Sequence, residues 1–128
     1  MSGSAARILY VDDNLDMWEL VRLLLRNFEV DCVRGMDDAL QSCGSNNFDL
    51  FILDYHLSDG TGFDLCQQLR LQKIQTPILF ITGSSSVTEE KVFSIGGQAL
   101  MWKNDASFID NLEPAVVRLM ESKQQTVH

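Results

Sequence analysis

Four short apolar runs, none broken by a charge, each lead directly into a polar side chain. Ile8-Leu9-Tyr10-Val11 runs into Asp12 and Asp13, and Leu50-Phe51-Ile52-Leu53 into Asp54. Ile78-Leu79-Phe80-Ile81 runs into Thr82, and Ala99-Leu100-Met101-Trp102 into Lys103. Unbroken apolar runs of this length belong to strands buried on both faces, which means a parallel sheet covered by helices. The segments between them carry helical spacing. Met17, Leu20, Val21, Leu24, Leu25 and Phe28 form one stripe. Leu65, Cys66 and Leu69 give the inner face of another helix, and Leu112, Ala115, Val116, Leu119 and Met120 that of the last.

The remaining elements follow from local signals. Asp13 or Asn14 caps the first helix. Val30 to Val33 reads as a strand near the sheet edge. Asp37 to Ser42 reads as a short helix closed by Gly44, and Phe48 to Leu53 as the central strand. Tyr55 to Gly62 is a loop. Thr76-Pro77 opens the fourth strand, where proline is tolerated. Ser84 to Ser86 cap a helix over Val87 to Ile95, ended by Gly96-Gly97. Pro114 sits either in the first turn of the last helix or inside a helix that begins near Ser107. Five strand–helix units predict a doubly wound α/β fold with helices on both faces and right-handed crossovers. Strand order is not readable from this pattern.

Composition narrows the function classes. A chain of 128 residues is most simply one domain. Its net charge of −8 argues against non-specific binding to nucleic acid or to an anionic membrane. No run approaches the roughly 20 apolar residues of a membrane span. Cys32, Cys43 and Cys66 are odd in number and lack metal-type spacing, so they read as small apolar filler in a reducing cytosol. Acid is concentrated locally in Asp12, Asp13, Asp16, Asp54 and Asp59. Such a pocket is costly unless a cation sits in it.

The C-terminal ends of parallel strands share one edge, and ligands bind in the crevice outside it. The groups delivered there are three acids, a hydroxyl and a lysine, with no His or Cys side chain among them. Oxygen ligands of this kind suit a hard cation such as Mg2+. A carboxylate at Asp54 can also act as a nucleophile toward phosphorus. Taken singly, each group has a plainer reading. Asp12-Asp13-Asn14 would cap a helix, Thr82 would close a strand-end turn, and Lys103 would be a solvated surface lysine. Their joint placement at four strand ends favours one shared site.

On these residues the chain resembles the receiver (response-regulator) domain of two-component phosphorelay signalling. The match rests on Asp12-Asp13, Asp54 within Leu53-Asp54-Tyr55-His56-Leu57, Gly62, Thr82-Gly83, Gly96-Gly97 and Lys103. It spans residues 7–122, leaving 1–6 as a flexible lead-in and 123–128 as a flexible tail. The resemblance implies a flavodoxin-like sheet of order 2-1-3-4-5. It implies that Asp54 accepts a phosphoryl group from the phosphohistidine of a sensor histidine kinase or phosphotransfer protein. Asp13 and Asp54 would bind Mg2+ together with the backbone carbonyl of His56, and Asp12 would act through water. Thr82 and Lys103 would hold phosphoryl oxygens. Such a protein is cytoplasmic and is not a conventional enzyme, although it catalyses its own phosphotransfer and dephosphorylation. An output domain or a second copy would dock on the fourth helix, fifth strand and last helix, with no direct contact to nucleic acid or membrane.

The chain departs from the family pattern at three places. Ser58 and Asn104 stand where proline is common, so a cis peptide after Lys103 is not expected. Leu100 stands where an aromatic switch residue is frequent, which predicts a different or smaller route to output. Other readings remain. A Mg2+-dependent aspartate-nucleophile phosphatase would need an acid two residues after Asp54, where His56 stands. A flavodoxin would need a phosphate loop after the first strand, where Asp12-Asp13 stand. A pseudo-receiver would serve only as an interaction module. The imidazole of His56 reads as exposed, Trp102 as packing and Trp18 as half-buried.

Overall fold

The computed structural model describes residues 6–125. In chain order the elements are β1 (Arg7–Val11), α1 (Leu15–Leu24), β2 (Glu29–Val33), α2 (Met36–Ser45), β3 (Leu50–Asp54), β4 (His56–Leu57), β5 (Gly60–Thr61), α3 (Gly62–Leu71), β6 (Ile78–Thr82), α4 (Glu89–Ser94), β7 (Ala99–Trp102) and α5 (Phe108–Gln125). The five longer strands form one parallel sheet in the order β2-β1-β3-β6-β7. This is the doubly wound, flavodoxin-like arrangement, with β3 central and β2 at an edge as the sequence predicts.

Strand alternation divides the core in two. Leu9, Val11, Phe51, Leu53, Ile78 and Phe80 pack against Ala39 of α2, Leu65 and Leu69 of α3 and Val92 of α4. Ile8, Tyr10, Leu50, Ile52, Leu79 and Ile81 pack against Val21 of α1 and Leu112 and Val116 of α5. β3 and β6 are buried along their whole length, which is why their sequence shows no alternation.

Several boundaries differ from expectation for local reasons. α4 is shorter than Val87 to Ile95, because Val87 is buried in the core and Thr88 caps the helix through the Lys91 N–H. α2 passes through Gly44 and ends where Asn46 turns extended and its side-chain amide donates to the Ser42 carbonyl. The loop after Asp54 contains a two-stranded antiparallel ribbon, β4–β5, too short to leave a periodic signal. Asn14, rather than Asp13, caps α1, accepting from the Asp16 and Met17 N–H groups. α5 begins at Phe108, so Pro114 lies inside it. α5 also runs to Gln125, into the stretch expected as tail. Residues 1–5 and 126–128, which carry most of the two expected flexible ends, lie outside the described residues. No described peptide bond is cis.

Candidate functional site

Parallel register brings the strand-end groups to one level. Val11 lies opposite Leu53, Asp54 opposite Ile81, and Thr82 opposite Trp102. Asp12, Asp54, Thr82 and Lys103 therefore leave the sheet along a single edge.

Asp12 is fully buried, and both of its carboxylate oxygens are engaged. Oδ1 accepts the Asn14 N–H at 3.0 Å. Oδ2 accepts the Lys103 ammonium at 2.7 Å and also the Tyr10 hydroxyl. The Asp12 carbonyl accepts the Trp18 indole N–H at 2.7 Å. The same Lys103 ammonium lies 3.3 Å from Asp54 Oδ1, so it bridges two buried acids. Asp13 is exposed at the rim. Burial, followed by the charge of Asp12, raises the pKa of Asp54 from 3.8 to about 6, although Lys103 pulls it down.

Thr82 is fully buried. Its Oγ1 accepts the Ser84 N–H at 3.0 Å, as in the plain strand-end turn, and its hydroxyl proton remains available to a ligand. Its carbonyl accepts the Lys103 N–H at 2.8 Å, which fixes the base of the lysine. The His56 side chain is exposed and meets the Tyr55 ring edge-on at 4.9 Å. Gly62 lies against the backbone of Asp54. A Cβ there would be 2.4 Å from the Asp54 carbonyl oxygen, so no other residue allows the ribbon to fold back this closely.

The acidic pocket is smaller than the sequence indicates. Carboxylate oxygens of Asp12, Asp13 and Asp54 lie within 4.8 Å of one another. Asp16 lies in the first turn of α1 and Asp59 serves a different purpose. Asp59 accepts the Met36 and Asp37 N–H groups at 2.7 and 3.0 Å, capping α2 from the turn of the β4–β5 ribbon. These bonds hold its carboxyl below the usual range. Gly35 makes room for it, since a Cβ there would be 2.6 Å from Asp59 Oδ1. The three clustered acids offer only oxygen donors at close quarters, which fits Mg2+.

Sequence reading missed three partners. Tyr10 stands in the apolar run Ile8-Leu9-Tyr10-Val11 and there reads as core. A residue two before Asp12 on a strand shares its face, and that spacing was the available signal. Trp18 is half-buried as the sequence suggests, and in addition its indole N–H donates to the Asp12 carbonyl, a bond the sequence does not signal. By sequence Asp59 belongs with the local acids of the cation pocket; its helix-capping role depends on tertiary proximity that no local pattern carries.

A doubly wound sheet with an acid pair, a central acid, a hydroxyl and a lysine along one strand edge defines a receiver-type protein. The family model for the response regulator receiver domain matches residues 8–107. The cell cycle transcriptional regulator CtrA of Caulobacter vibrioides is 31% identical over 100 residues, covering 76% of this chain and 43% of CtrA. This chain thus spans less than half the length of that curated relative. A putative response regulator from Chloroflexus aurantiacus superposes with a TM-score of 0.81 at 28% identity, over 92% of this chain and 99% of that one. The response regulator TrrA of Thermotoga maritima, solved in complex with Mg2+ and BeF, gives 0.78 at 28% identity, over 89% and 98%. This chain belongs to the response regulator receiver domain family.

Proposed function

We propose that the chain is a phosphoacceptor domain of two-component signalling, with Asp54 as the acceptor. The observation that carries this reading is the Lys103 ammonium held between buried Asp12 and Asp54, beside exposed Asp13. An Asp54 carboxylate oxygen forms the bond to phosphorus as the P–N bond to a kinase or phosphotransfer histidine breaks, and the imidazole leaves with the bonding pair. Asp13, Asp54 and the His56 carbonyl would hold Mg2+, with Asp12 acting through water. The bound cation would neutralise charge on the phosphoryl oxygens. Thr82 donates its hydroxyl proton to one phosphoryl oxygen. Lys103 shifts its ammonium to another. Return to the resting state needs only water attack at phosphorus, so the domain limits the lifetime of its own signal.

Acetyl phosphate with Mg2+ should add one phosphoryl mass to the wild type. Asp54→Ala should add none, and EDTA should abolish the signal. Labelling that persists in Asp54→Ala would sink the assignment.

The output surface is proposed to be α4, β7 and α5, where a partner, an output domain or a second copy would dock. Phosphorylation adds roughly −1.5 to −2 charges beside Thr82 and Lys103. Thr82 then draws in the loop Gly83 to Ser86 and shifts α4. Leu100 is buried and has no polar tip to follow that movement. Hydrogen exchange with and without beryllofluoride and Mg2+ should differ most between Gly83 and Trp102. Changes confined to α1 would refute this route. A cytoplasmic location goes with the proposed kinase partner, and no helix of the described residues is long and apolar enough to cross a membrane. Cell fractionation checks it.

A further inference from the structure

One buried polar group at the site has no part in the chemistry proposed above. Tyr10 lies on β1 at 0% exposure, among Ile8, Ile52 and Val21, where a phenylalanine ring would fill the same space. A hydroxyl taken into such a cluster is costly unless it is paired. Its partner is Asp12, two residues on and on the same face of the strand. We propose that Tyr10 is a positioning residue of the phosphoacceptor site: its hydroxyl shares one Asp12 oxygen with Lys103 and so keeps the lysine ammonium transferable to an incoming phosphoryl group.

This inference rests on the phosphoacceptor reading and deepens it. Lys103 must leave Asp12 to reach a phosphoryl oxygen, and Asp12 cannot follow. Its carbonyl is tied to the Trp18 indole, its N–H to the Val33 carbonyl and its Oδ1 to the Asn14 N–H. Without Tyr10, departure of the lysine would strip Oδ2 of both donors in a fully buried place. With Tyr10, the carboxylate keeps one donor on each oxygen. The hydroxyl remains a donor throughout, because the carboxylate oxygen it faces can only accept. Of the two donors sharing Oδ2, only Lys103 has solvent access, with 18% side-chain exposure against 0% for Tyr10. The ammonium is therefore the part that moves, and the Tyr10–Asp12 pair is the fixed frame it moves from.

The test compares wild type with Tyr10→Phe in acetyl phosphate at saturating Mg2+. Loss of one hydrogen bond from the frame should slow phosphorylation roughly three- to tenfold. Mg2+ affinity should be equal or tighter, because Asp12 then carries less compensated charge. A role confined to packing would change neither quantity, since the ring is retained. In an Asp12→Asn background, Tyr10→Phe should change the rate by less than about twofold, because the two act as a unit. If wild type is phosphorylated and Tyr10→Phe matches its rate, the inference fails and the phosphoacceptor reading stands. If wild type takes no phosphoryl group, both fail. Should Tyr10→Phe not fold, the wild type carries its own probe. The chain has only 2 tyrosines, Tyr10 and Tyr55, so tyrosine 13Cζ NMR is readily assigned. Adding beryllofluoride to the Mg2+-bound protein should shift the Tyr10 signal as Lys103 leaves the shared oxygen. An unmoved signal would overturn the proposal.

Discussion

Lys103→Met is expected to destabilise the metal-free protein by about 3–5 kcal/mol at neutral pH, the usual cost of leaving a buried charge without its partner. Asp12 is fully buried and Asp54 nearly so, and the Lys103 ammonium is the cation between them. Methionine restores the aliphatic length and none of the charge, so the loss is electrostatic rather than a cavity effect. Total stabilities of single domains are only about 5–15 kcal/mol, so the variant should be visibly marginal in urea. Two further results separate this account from a general folding defect. Mg2+ should recover most of the loss, because it supplies positive charge to the same acids. The deficit should also shrink as pH falls toward about 6, because Asp54, no longer held down by the ammonium, takes up its proton at higher pH than in the wild type. A loss under about 1 kcal/mol in EDTA, the size of an exposed ion pair, would mean that the bridge carries little energy.

These strand ends are partly legible in the sequence and partly set by tertiary contacts. The parallel sheet was legible because β3 and β6 are buried on both faces and therefore lack polar interruptions. The site edge was legible because each run ended in a group that an apolar core would not otherwise tolerate. What could not be read was which acid would be buried. Asp12 and Asp13 are neighbours with the same chemistry, yet one is enclosed by Tyr10, Trp18, Asn14 and Lys103 while the other faces solvent. That difference arises from contacts between β1, α1 and the end of β7, elements separated by up to 91 residues. The cap on α2 failed to appear for the same reason. Asp59 reaches it across 22 and 23 residues, whereas a local cap signal looks only three residues ahead. The sequence overextends α4 because Val87 fits a helical stripe equally well as a buried residue just before the cap.

The raised Asp54 pKa makes stability and phosphoryl acceptance depend on pH in opposite senses. The ordinary value is 3.8 and the folded value about 6, so between them the folded chain binds more protons than the unfolded chain. Stability contributed by the protonated acid is therefore fully present below about pH 4. It is lost as pH rises through about 6, with a total change on the order of 3 kcal/mol. Asp59 acts in the other direction. Its pKa is lowered by the two α2 N–H groups, so its contribution is present above about pH 4 and fades only in stronger acid. The two windows do not overlap. Urea titrations of the metal-free protein should show stability falling from about pH 4.5 to about 6.5, and Asp54→Asn should flatten that slope. Mg2+ should flatten it as well, since a bound cation favours the carboxylate. Asp13→Asn should weaken the Mg2+ effect while relieving repulsion in the metal-free site. Phosphorylation needs the carboxylate form of Asp54, so in limiting Mg2+ its rate should fall about tenfold per unit below pH 6. A wild type whose stability rises through this window in parallel with Asp54→Asn would show that Asp54 ionises normally. In that case the Lys103 bridge already compensates both acids, and Mg2+ would have little repulsion left to relieve.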